Sequence, residues 1–180
     1  MLIFISGGVR SGKSTLGEQF VKELARGRKV YLATSKPYDE EMERRIVKHQ
    51  KSREKEGFTT IEKSENISEV AFQKEDTVLL DCLGTLTSNE MFYDYSIDFN
   101  DEFAKKITEK IFKNIMEIDK KVQNLVVISN EIFSDGNTYD KATEKYIQVL
   151  GKLHIQLAGA SEKAIECAYG FNIHHKGGAI

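Results

Sequence analysis

The sequence predicts an α/β fold, a mainly parallel sheet flanked by helices. Three observations carry this. Short apolar runs alternate with helical patterns along the chain. The run TVLLDCL at 77–83 is apolar nearly throughout, as befits a strand covered on both faces. The first apolar run, LIFIS at 2–6, passes directly into a glycine loop and then a helical stretch.

The elements follow in order. LIFIS is the first strand, and Lys13 to Arg26 the first helix. KVYLAT at 29–34 is the second strand. Asp39 fits an N-cap, followed by acidic residues in the first turn of a helix reaching about Glu54. TVLLDCL is the third strand. Phe103, Ile107, Ile111, Ile115 and Ile118 recur at helical spacing within 101–121. NLVVIS at 124–129 is a further strand. Tyr139, Ala142, Tyr146, Val149, Leu153 and Leu157 mark a long helix, and AIECAYG at 164–170 closes the pattern as a last strand. The only proline is Pro37 and no repeat interrupts the chain, so residues 1–180 are expected to form one domain.

Composition narrows the function. Hydrophobic residues at 40% and charged residues at 30% fit a folded globular protein. A net charge of -2 argues against a general nucleic-acid binder. No apolar run approaches a membrane span, and the apolar start MLIFISGG has no basic flank or cleavage site. A cytoplasmic protein is expected. Cys82 and Cys167 lie in apolar runs and read as buried thiols rather than a disulfide. His154 reads as a structural or surface residue of the long helix. His174-His175 is a weak metal signal on a tail expected to fray. Lys105, Lys106, Lys110, Lys113, Lys120 and Lys121 interleave with acids and read as a solvated face.

The glycine loop carries the chemistry. Gly7-Gly8-Val9-Arg10-Ser11-Gly12-Lys13-Ser14 fits G-x-x-x-x-G-K-[ST], the P-loop of nucleoside triphosphatases. Glycines let backbone N–H groups face a phosphate chain, and the following helix adds its positive end. Lys13 is expected to reach the β and γ phosphates, and Ser14 to ligate Mg²⁺. Asp81 ends the run TVLLD, where the acid that completes the metal site is expected. Asp81-Cys82-Leu83-Gly84 also matches the D-x-x-G of switch GTPases, but no N-K-x-D stretch accompanies it.

A second cluster lies in EEMERRIVKHQKSRE at 40–54. On a helix Met42, Ile46, His49 and Arg53 share a face, with Arg45 four residues before His49 and Arg53 four after. A neutral imidazole nitrogen can attack phosphorus while guanidiniums hold the anionic oxygens. On spacing alone a solvated helix face is the commoner reading of such a histidine.

The chain resembles the bifunctional adenosylcobinamide kinase / adenosylcobinamide-phosphate guanylyltransferase family of cobalamin biosynthesis. The resemblance rests on FISGGVRSGKS at 4–14, YLATS at 31–35, DEEMERRIVKHQKSR at 39–53, TIE at 60–62, LLDCLGTLTSN at 79–89 and VISNE at 127–131. It implies a RecA-like P-loop NTPase fold. It implies that His49 is the histidine that becomes covalently guanylylated; Lys13 of the phosphate loop is the other candidate catalytic residue. By the same resemblance Gly7, Gly8, Val9, Arg10, Ser11, Gly12, Lys13 and Ser14 hold the triphosphate. Ala33, Thr34 and Ser35 form a second nucleotide-contacting loop. Gln50, Lys51, Ser52 and Arg53 help bind GTP. Glu62 and Asp81 match acidic positions associated with the nucleotide, Asp81 where glutamate is frequent. Asn89 and Asn130-Glu131 match family motifs to which no role attaches.

The implied partners are ATP, GTP and Mg²⁺, with adenosylcobinamide and adenosylcobinamide phosphate as substrates, in a homo-oligomer. Besides Asp81, the chain departs from the family pattern in three places. Lys48 stands where a second histidine is frequent, and Phe58 near the T-x-E strand where tryptophan is. Ile132 to Thr138 replace a glycine-rich segment. Two other readings remain open: a P-loop small-molecule kinase without the guanylyl transfer, and a non-catalytic nucleotide-binding regulatory module.

Overall fold

The computed structural model describes residues 1–36, 40–94, 96–133 and 136–178, without the side chains of 40–43, 45, 46 and 48. The expected cap Asp39 therefore lies outside the described residues, as do the side chains of Met42, Arg45 and Ile46. The strands are β1 (Leu2–Gly7), β2 (Lys29–Ala33), β3 (Phe58–Glu62), β4 (Thr77–Asp81), β5 (Asn124–Asn130), β6 (Lys163–Ala168) and β7 (Phe171–Lys176). The helices are α1 (Lys13–Leu24), α2 (Glu40–Lys55), α3 (Leu83–Met91), α4 (Asp101–Lys121) and α5 (Lys141–Ala160).

The strands form one sheet in the order β3-β2-β4-β5-β1-β6-β7. All pairings are parallel except that of β7, which runs antiparallel to β6. With β5 between β1 and β4, this is the RecA-like arrangement of a P-loop fold. The pleat sorts side chains to two faces. Ile3, Ile5, Tyr31, Leu79 and Ile128 pack with Phe20 and Val21 of α1. Leu2, Phe4, Leu32, Leu80 and Val127 pack with α3, α4 and α5.

The expected stripe on α4 is real: Ile107, Ile111, Ile115 and Ile118 are buried. Asn100 caps this helix by accepting from the Phe103 amide at 2.9 Å. Its lysines mostly face solvent, but Lys110 does not belong to that set. Its Nζ lies 2.6 Å from Oε2 of Glu90, a buried carboxylate. Lys121 likewise ties down, donating to the Ser68 carbonyl at 2.9 Å. Both cysteines are free and buried, as expected.

Three expectations are corrected. The strand expected at 77–83 ends at Asp81, and Leu83 already opens α3. Thr34 takes over the ladder there: Oγ1 accepts from the Cys82 amide and donates to the Cys82 carbonyl, both at 2.9 Å. The first helix stops at Leu24, where Ala25 turns extended. The tail does not fray. Residues 171–176 form β7, whose side chains are all exposed but whose backbone pairs with β6.

His154, on α5, packs edge-on to Phe4 and Phe133 at 5.0 and 5.1 Å. Its Nε2 and the Ser129 hydroxyl lie 2.7 Å apart. Burial pushes this imidazole down to about 4. An unfolded histidine titrates near 6.5, so the unfolded chain binds the extra proton between the two values. Stability is expected to fall as pH drops through that window, by up to about 3 kcal/mol. Urea melts at neutral and at acid pH should show a smaller difference for His154→Gln than for the wild type.

Candidate active site

The parallel strands all point their carboxyl ends to one edge, and the expected site residues gather there. At the end of β1 the chain curls through Arg10 at φ 60° and Gly12 at φ 93° into α1. Gly7 admits no side chain, because a Cβ would lie 2.5 Å from Ser11 Oγ and 2.6 Å from the Cys167 carbonyl. Ser11 Oγ is buried and has no hydrogen-bond partner among the described residues. This leaves one buried hydroxyl of the loop with its hydrogen bond unmade. Lys13 is buried and its Nζ donates to the Gly8 carbonyl at 3.0 Å. Val9, Arg10 and Gly12 are exposed at the loop tip.

Ser14, in the first turn of α1, donates from Oγ to Asp81 Oδ2 at 3.3 Å. The same carboxylate oxygen accepts from the Tyr31 hydroxyl at 2.6 Å. Ala33 stands in register with Asp81 on one side and Glu62 on the other, so the ends of β4, β2 and β3 line up. Thr34 is buried and Ser35 half-buried beyond them. Asn89 explains its motif: its Nδ2 donates to the Thr34 carbonyl at 2.8 Å and to the Ser64 carbonyl at 3.1 Å. It clasps the two loops that leave β2 and β3.

Helix α2 docks on this edge through its last turns. Gln50 donates to Glu62. The Arg53 guanidinium lies 3.4 Å from the centre of the Tyr31 ring, and its Nε donates to Glu18 Oε1 at 3.0 Å. His49 is exposed, one helical turn before Arg53, and Lys51 and Ser52 are exposed as well. Among the described residues no hydrogen bond joins His49 to the phosphate loop. The structure therefore brings together residues 7–14, 33–35, Glu62 and Asp81, ties Gln50 and Arg53 to them, and leaves His49 facing solvent nearby.

The match to known proteins decides the family. The family model described as cobinamide kinase / cobinamide phosphate guanyltransferase matches residues 3–174. This chain belongs to that family. It is accordingly a kinase and guanylyltransferase of cobalamin biosynthesis. Two curated relatives are each named bifunctional adenosylcobalamin biosynthesis protein CobU. That of Escherichia coli (strain K12) is 28% identical over 172 residues, 91% of this chain and 93% of its own. That of Salmonella typhimurium (strain LT2) is 23% identical over 175 residues, with the same two coverages of 91% and 93%. Among solved structures, the flagellar accessory protein FlaH from Methanocaldococcus jannaschii has a TM-score of 0.45 at 14% identity, covering 98% of this chain and 78% of its own.

In this family member two residues join the site that sequence reading passed over, Tyr31 and Glu18. Tyr31 is buried, and burial and then the Asp81 charge push its phenol well above the usual tyrosine range. It stays a donor at every working pH. Its hydroxyl fixes the acid while its face carries Arg53. Tyr31→Phe is expected to cost about 1 kcal/mol of stability and to leave Arg53 in place. Tyr31→Leu is expected to cost more, because the stacked guanidinium loses its ring as well. Denaturant melts of the two variants check this order.

Proposed function

We propose that the enzyme first phosphorylates adenosylcobinamide with ATP or GTP, then carries GMP from GTP through a guanylyl-histidine at His49 to the phosphorylated product, giving adenosylcobinamide-GDP. The observation that carries this reading is the tie between the two motifs. The Ser14–Asp81 pair under the phosphate loop is bound through Tyr31 and Arg53 to the helix that presents His49.

In the kinase half, the backbone N–H groups of residues 7–14 and the Lys13 ammonium take the β and γ phosphates. Lys13 exchanges its Gly8 carbonyl for phosphate oxygen. The acceptor hydroxyl attacks the γ-phosphorus, and the nucleoside diphosphate leaves. Mg²⁺ fits the residues present: the Ser14 hydroxyl and Asp81 carboxylate are hard oxygen donors that converge at 3.3 Å. When bound, the ion neutralises phosphate charge.

In the transfer half, a neutral nitrogen of His49 attacks the α-phosphorus of GTP and pyrophosphate leaves. A phosphate oxygen of the acceptor then attacks the same phosphorus, the P–N bond breaks, and the imidazole is regenerated. Gln50, Lys51, Ser52 and Arg53, with Ala33, Thr34, Ser35 and Glu62, hold the nucleotide around it. The reading includes one working domain over 1–180, acting in the cytoplasm as a homo-oligomer without nucleic acid.

Incubating the enzyme with adenosylcobinamide, GTP and Mg²⁺ tests this. Adenosylcobinamide-GDP and pyrophosphate are the expected products. Accumulation of adenosylcobinamide phosphate alone would assign the chain to simple kinases instead.

A further inference from the structure

Resting on that reading, the geometry points to the groove between α5 and the β6–β7 hairpin as the acceptor subsite, which takes one apolar face of the corrinoid macrocycle. The groove has a volume of about 250 Å³ and is walled by Phe4, Ser6, His154, Ile155, Ala164 and His175. Register explains its composition. Phe4 pairs with Ala164, and both line the groove. Glu166 pairs with Ile173 and Ala168 with Phe171, so these residues extend the same face of the sheet beyond the groove toward the hairpin turn. Helix α5 covers only part of that face. Ile155 is left 76% exposed, Phe171 74% and Ile173 45%. Large apolar side chains left exposed beside a groove are candidates for contact with a ligand.

Position selects the occupant. Ser6 lies in the groove wall and is followed directly by Gly7 of the phosphate loop. Two residues of strand span roughly 7 Å, within reach of a flexible side arm on a bound ring. Gly7 pairs with Cys167, so the hairpin turn at Tyr169–Gly170 stands at the same edge as the loop. The groove lies on the α5 face of the sheet, away from the Ser14–Asp81 pair on the α1 side. Its wall is apolar, with no lysine or arginine lining it, which suits a ring face better than a phosphate chain. At its rim His175 Nε2 and Glu166 Oε2 lie 2.9 Å apart, offering polar groups to peripheral amides. The volume holds part of a corrinoid, so the ring lies across Phe171 and Ile155 with its other face open.

The test separates acceptor from nucleotide. The chain has no tryptophan, so Phe171→Trp places a single reporter beyond the groove, on the same face of the sheet and on the path proposed for the ring. Adenosylcobinamide is expected to quench its fluorescence, and GTP is not. Ile155→Ser and Phe171→Ser, both at exposed positions, are expected to raise the adenosylcobinamide KM about tenfold or more. The rate at which the protein takes label from α-labelled GTP without acceptor is expected to stay unchanged. An unchanged KM with no quenching overturns the proposal. Quenching by GTP reassigns the groove to the base, and a changed elution volume in the serine variants reassigns it to a contact between copies; either result overturns it. Failure of the underlying reading looks different, because then the wild type itself neither labels nor consumes adenosylcobinamide.

Discussion

Lys13→Ala is expected to lower both transfer activities by about a hundredfold to a thousandfold. Phosphoryl and nucleotidyl transfer leave little covalent work to the protein, so positioned positive charge supplies most of the rate. Lys13 is buried beneath the loop and holds only the Gly8 carbonyl, a partner it can give up without breaking the fold. Every phosphate chain entering the loop meets this ammonium, whichever half-reaction follows. Steady-state assays of both halves, with a urea melt to show that the variant folds, check the expectation. An effect on one half alone would mean that the two reactions use different phosphate sites.

His49→Ala is expected to do the opposite and split the activities. Guanylyl transfer falls to background, while phosphorylation of adenosylcobinamide stays within about threefold. His49 is exposed on α2 and outside the phosphate loop, so the kinase half does not need it. Surface positions of this kind change stability by about 0.5 kcal/mol or less, so the loss is chemical rather than structural. Assaying the variant separately for adenosylcobinamide phosphate and for adenosylcobinamide-GDP reads the split.

Much of the site was legible because its motifs are local. The loop from Gly7 to Ser14 announces itself through glycine spacing between a strand and a helix, and Asp81 through its place at the end of an apolar run. The long helices α4 and α5 show their periodicity plainly. Helix α3 went unread because LGTLTSNEM is nearly all buried, and a helix covered all round has no apolar stripe to see. Strand β7 went unread for the converse reason: it is an edge strand exposed on both faces, so no buried apolar alternation marks it. The roles of Tyr31, Glu18 and Asn89 depend on which strands become neighbours. Tyr31 meets Asp81 because β2 lies beside β4, and Asn89 reaches Thr34 only once α3 packs behind that pair. Sequence separations of 50 and 55 residues carry no local signal.

Incubation of the wild type with Mg²⁺ and GTP labelled at the α-phosphate tests the guanylyl-histidine most directly. Acid-labile, alkali-stable label is expected on the protein, with pyrophosphate released in equal amount. Peptide mapping is expected to place it on His49, and His49→Ala to take none. A folded wild type that binds GTP yet takes no label, or carries it on another residue, would contradict the covalent role given to His49.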